Sequence, residues 1–163
     1  MPTVMPAPRF VLLMLQMLTG LTVAGAGMAS AEDSRRSTLL VIDGSGSMWG
    51  RFETPDEKRA KIDIVRDLVR PVIANNTTAQ IGLQSFGHRR KGDCSDVEVI
   101  APPALERPNL LAALDKLNPR GKGPWAGGLR QAVAGAGASR PASVIVIADG
   151  IDNCRQDACA AAA

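Results

Sequence analysis

Asp43-Gly44-Ser45-Gly46-Ser47 places one carboxylate and two hydroxyls at alternate positions. On a loop leaving a strand, alternate residues can point the same way, so these oxygens can face one point. Hard oxygen ligands of this kind suit Mg²⁺, Mn²⁺ or Ca²⁺ rather than Zn²⁺ or Cu²⁺. A second Asp-Gly pair, Asp149-Gly150, ends another apolar run far along the chain. One such pair alone reads as a turn cap. Two of them, together with the serines, point to a functional site.

The rival chemistries are weaker. Ser45, His88 and Asp149 are the residue types of a hydrolase triad, and His88 is the single histidine of the chain. But Ser45 does not sit in Gly-x-Ser-x-Gly, and His88 follows a different strand among cations. Phosphoryl transfer on Asp43 would call for an acid two residues later, where Ser45 stands. Gly44 to Ser47 lacks the Gly-x-Gly-x-x-Gly spacing, and Gly121-Lys122-Gly123 lacks the Ser or Thr of a phosphate loop. None of these enzyme patterns is complete, and no enzyme is expected from them.

These residues need a scaffold, and the chain alternates strand and helix signals. Leu39 to Ile42 and Ala142 to Ala148 are short apolar runs suited to strands buried on both faces. Ala79 to Phe86 and Val97 to Ile100 are two further strand candidates, with Pro102-Pro103 as a break. Thr54-Pro55-Asp56-Glu57 reads as a helix start, followed by Ile62, Val65 and Val69 at helical spacing, with Pro71 expected to kink or end the helix. Asn109 is placed to cap a helix carrying Leu110, Leu114 and Leu117. Trp125, Leu129 and Val133 mark another, weakened by Gly127-Gly128. The fold class is α/β, an open, mainly parallel sheet with helices on both faces. In such sheets ligands collect at the carboxyl ends of central strands, where Asp43 and Asp149 fall.

The run LLVIDGSGSMWG, Leu39 to Gly50, resembles the start of a von Willebrand factor type A (VWA) domain, in particular its bacterial exported branch. Phe86 to Asp96, Arg120 to Pro124 and Val144 to Cys159 are similar to further segments of that branch. The resemblance implies a Rossmann-like fold and a metal-ion-dependent adhesion site. Asp43, Ser45, Ser47 and Asp149 match its metal residues, and an acidic side chain of a protein partner fills the open coordination position. The family's threonine ligand falls at Gly123, which has no side-chain oxygen, so the metal (Mg²⁺, or Mn²⁺ or Ca²⁺) loses one donor. The family fold also continues past this point. The domain is expected to be incomplete at its C-terminus, with an apolar strand edge left bare near Ala142. A truncated or degenerate VWA fragment without metal binding is the alternative reading.

The 163 residues suit one domain, and 45% are hydrophobic. A net charge of +3 with 3% aromatic residues gives no case for nucleic acid. Residues 1–31 carry Arg9 as their only charge, then an apolar stretch from Phe10, then Ala29-Ser30-Ala31. That order predicts a secretory signal peptide cleaved after Ala31, hence a periplasmic or secreted protein with no stable membrane insertion afterwards. Residues 32–38 form a short leader and 39–163 the VWA domain. An oxidising compartment would permit one disulfide among Cys94, Cys154 and Cys159. The short spacing favours Cys154 with Cys159, leaving Cys94 free or paired outside this chain. Arg89-Arg90-Lys91 reads as a solvated basic turn that could also attract an acidic partner.

Overall fold

The computed structural model describes residues 37–54, 58–135 and 143–162. The expected signal peptide, most of the expected leader, and Pro55-Asp56-Glu57 lie outside the described residues. Strand β1 (Ser37–Asp43) is the first apolar run, and Leu39, Leu40, Val41 and Ile42 are all buried. It runs parallel to β2 (Gln80–Phe86) on one side and to β4 (Ser143–Ile147) on the other. Strand β3 (Val97–Ala104) lies antiparallel outside β2, so the order is β3-β2-β1-β4.

Side chains alternate across β1 and so supply two cores. Leu40 and Ile42 meet Ile62, Val69 and Ile73 of α1 (Lys61–Asn75) and Leu110 and Leu114 of α2 (Pro108–Lys116). Leu39 and Val41 face the other way, toward Phe86 and Ala132, the latter on α3 (Trp125–Ala134). Each fully buried side chain of this size stabilises the fold by roughly 1.5–3 kcal/mol before entropy is counted. Helices therefore cover both faces, as the α/β reading requires. A last short helix, α4, spans Ala158–Ala162. Among the described residues β4 pairs with β1 alone, and Ile145 stays half-exposed.

Four local expectations need correction. Helix α1 begins at Lys61 rather than near Thr54, because Phe52 N donates to Arg59 O (3.1 Å) and Arg51 bridges Ala60, so an antiparallel excursion precedes it. The same helix runs through Pro71 to Asn75. Pro71 and Asp67, the residue whose carbonyl loses an amide donor to the proline, are both exposed, while buried Ile73 anchors the last turn. Strand β3 continues through Pro102-Pro103, which an edge strand tolerates, with a shifted register against β2. Asn109 is not the cap of α2: Pro108 occupies the first turn, and Asn109 Nδ2 reaches Glu106 instead (3.4 Å).

The disulfide is also different from the expected one. Cys94 pairs with Cys154 across a sequence separation of 60, and Cys159 is free and exposed. Asp152 accepts from Cys154 N (2.7 Å) and Ala126 N (3.0 Å), which ties the turn after β4 to the start of α3, while the disulfide ties it to the β2–β3 loop. Proximity in space overrides the short Cys154 to Cys159 spacing.

Candidate functional site

The pairing of Asp43 with Phe86 and of Ile42 with Ile147 brings three strand ends to one edge. Asp43 closes β1 and is almost fully buried, and its Oδ1 accepts from Ser45 N (2.7 Å). The Ser45 and Ser47 hydroxyls lie 2.8 Å apart. Ser47 Oγ donates to Asp149 Oδ1 (2.8 Å), which arrives two residues after β4. The other oxygen, Asp149 Oδ2, accepts from Lys61 Nζ (2.7 Å). Asp43, Ser45, Ser47, Asp149 and Lys61 thus form one continuous polar chain.

Electrostatics separate the two acids. Burial pushes the Asp43 carboxyl above the usual carboxylate range, Ser45 pulls it back in part, and the Asp149 charge adds to the rise. Partial burial would raise Asp149 too. There the Lys61 ammonium and Ser47 hydroxyl outweigh it and hold the carboxyl below its usual range.

The loops around this chain are tied to one another through their backbones. Gly44 N donates to Phe86 O (2.8 Å), Gly46 N to Gly121 O (2.9 Å), Gly121 N to Gly87 O (2.7 Å) and Arg120 N to Gly44 O (2.9 Å). Gly87 sits at φ +68°, and a Cβ there would fall 2.0 Å from Lys122 O, so only glycine permits this crossing. Gly123 lies against the site: a Cβ built on it would be 3.6 Å from Ser45 Cβ and 3.7 Å from Ser45 Oγ, ordinary contact distances.

The chain matches the von Willebrand factor type A domain over residues 38–151. It belongs to that family. Among solved structures, this VWA domain is similar to the conserved hypothetical protein BatB from Bacteroides thetaiotaomicron, at 13% identity and a TM-score of 0.52 over 68% of this chain and 51% of that one. It is also similar to the SpRpn10 VWA domain (20% identity, TM-score 0.42, 60% of this chain and 48% of that one). A third is an uncharacterized membrane-spanning protein from Vibrio fischeri (24% identity, TM-score 0.43, 53% and 42%). The chain therefore spans about half the length of the structures it matches. No curated protein matches its sequence. The BatB likeness speaks to the fold alone. Domains of this family generally mediate protein interactions.

All four sequence-predicted site residues of this VWA domain meet; of the triad types, Ser45 and Asp149 belong to that chain while His88 bonds elsewhere. His88 Nε2 lies 3.0 Å from Glu98 Oε2 on β3, while Ser45 is engaged with Ser47 and Asp149 with Ser47 and Lys61. Burial lowers the His88 imidazole below its ordinary range, partly countered by Asp96 and Glu98. The basic turn is largely neutralised from within: Arg89 Nε reaches Asp96 (2.7 Å) and Arg90 reaches Asp93 (2.8 Å).

Sequence reasoning missed Lys61 and Asp96. A lysine at the first residue of a helix opposes the helix dipole, which was the one signal available for Lys61. The expected helix start near Thr54 concealed it. Asp96 lies in a loop of mixed charges, and nothing in that pattern marks it as fully buried.

Proposed function

We propose that this VWA domain is an exported binding module that engages an acidic side chain of a protein partner through a divalent cation at the carboxyl edge of the sheet. The observation that carries this reading is the assembled chain of oxygens from Asp43 through Ser45 and Ser47 to Asp149. The donor set fits a hard cation: two carboxylates and two hydroxyls, gathered with no sulfur or imidazole among them. Ser45, Ser47 and Asp149 would hold Mg²⁺, or Mn²⁺ or Ca²⁺, with Asp43 fixing the loop beneath them. The bound cation would supply the positive charge that recruits the partner's carboxylate. A water would have to stand in for the hydroxyl missing at Gly123.

Export rests on the signal-like residues 1–31 and on the Cys94–Cys154 disulfide, which persists in oxidising compartments. Among the described residues no helix is long and apolar enough to cross a membrane. A non-enzymatic role rests on the separate engagement of Ser45 and His88.

The test is calorimetric titration of the purified protein with Mg²⁺ and Mn²⁺, beside a variant carrying Asp43→Ala and Ser45→Ala. Saturable binding is expected in the parent and none in a folded double variant. A folded parent that takes up neither ion rejects the metal mechanism and leaves a metal-free interaction module. A second expectation concerns the departure at Gly123. A Cβ at position 123 meets only ordinary contacts, 3.6 Å from Ser45 Cβ at the nearest, and Gly123→Thr keeps the backbone N bond to Asn153 Oδ1 (2.8 Å). It should tighten Mg²⁺ binding by about tenfold or more, the scale on which metal-site contacts act. Unchanged affinity in the same titration would mean that position 123 does not reach the ion.

A further inference from the structure

Lys61 is in an unfavourable place for a lysine by itself. It opens α1, where unsatisfied amides create positive potential. Its side chain is only one-third exposed and its partner Asp149 is 13% exposed, so the pair is shielded from bulk solvent. The stem runs past Gly50, whose built Cβ would lie 3.7 Å from Lys61 Cε and Nζ. It borders a cleft of about 390 Å³ walled by Met48, Phe52, Ile64, Val65 and Ile147. Apolar walls along the stem leave the ammonium one good partner, the Asp149 carboxylate at 2.7 Å.

Both oxygens of Asp149 are therefore satisfied within the protein, one by Ser47 and one by Lys61. The Asp149 negative charge, one of the two that a divalent ion would draw on, is already paired. Gly123 removes a further oxygen from the same site. These two departures act in one direction, toward an assembled site with reduced demand for metal.

We propose that Lys61 is a built-in competitor of the divalent ion, holding Asp149 in the metal-free protein and setting the metal concentration at which the site fills. The proposal deepens the metal-dependent reading and rests on it. A divalent ion reaching Asp149 must displace the ammonium or sit beside it, and like charges a few ångströms apart repel strongly in a partly shielded site. In this geometry the ammonium stands beside Asp149, where a divalent ion would bring its positive charge.

The experiment compares the parent protein with Lys61→Met and Lys61→Arg by Mg²⁺ calorimetry and by thermal melting in EDTA and in Mg²⁺. Lys61→Met should bind Mg²⁺ about tenfold tighter than the parent, and Lys61→Arg, which keeps the charge, should bind like the parent. In EDTA the Met variant should melt below the parent, and Mg²⁺ should restore it. Lys61→Gln serves as the neutral variant if the Met form aggregates. Equal affinities in parent and neutral variant overturn the competitor role while leaving the metal reading intact. No binding by any form, including Lys61→Met combined with Gly123→Thr, overturns both.

Discussion

Asp96→Ala is expected to destabilise the protein by roughly 3 kcal/mol, the lower end of the range for breaking a buried ion pair. Asp96 is fully buried and accepts three donors: Arg89 N at 2.8 Å, Arg90 N at 2.9 Å and Arg89 Nε at 2.7 Å. Alanine leaves two backbone amides and part of a guanidinium without their acceptor. The loss stays at the lower end because Arg89 is one-third exposed and keeps Glu98 at 3.3 Å. Urea unfolding of the variant should show a lower midpoint with an unchanged slope. A midpoint shift worth under about 1 kcal/mol would mean that the loop refolds around another acceptor.

The same residue gives a pH signature. Burial alone would raise the Asp96 carboxyl, but the Arg90 and Arg89 amides and the Arg89 guanidinium outweigh it and hold it below the usual range. A carboxyl lowered by folding contributes stability above its unfolded value, near pH 4. That contribution fades as pH falls through the lower folded value. Asp96→Ala should therefore lose part of the acid sensitivity of the parent, as read from midpoints between about pH 5 and pH 2.

Loss of the Cys94–Cys154 disulfide, by reduction or by Cys94→Ser, should cost roughly 2–4 kcal/mol. The bond closes a sequence separation of 60, so its removal returns substantial freedom to the unfolded chain. It also frees the β2–β3 loop from the turn carrying Asp152 and Asn153, whose side chains hold Ala126 N and Gly123 N. Peptide mapping without reduction should recover Cys94 linked to Cys154, with Cys159 alkylated. A Cys154–Cys159 peptide from the folded protein would refute this pairing. The stability change is read from melting with and without reductant.

Asp43, Ser45, Ser47 and Asp149 were legible in the sequence because each is marked by a neighbour-scale pattern: an apolar run that must be a strand, followed at once by polar residues. The unbroken apolar run Leu39 to Ile42 likewise reads as a strand buried on both faces, which the two cores on either side of β1 bear out. What escaped notice depends on contacts between distant segments. Lys61 meets Asp149 across 88 positions, and Cys94 meets Cys154 across 60. No local preference encodes either meeting. Pro71 and Pro102-Pro103 misled for a related reason. Proline disfavours regular structure only where the missing amide is needed, and these prolines sit at exposed or edge positions, which only the assembled fold reveals.

The glycine-rich loops at the carboxyl edge bond to each other rather than to solvent: Gly44 to Phe86, Gly46 to Gly121, and Gly121 to Gly87. Ordering a free loop costs about 1–2 kcal/mol per residue in backbone entropy. Here that cost falls on folding, so a partner arriving at this edge does not incur it again. Under the proposed binding role, a partner would then dock on this edge as a near rigid body.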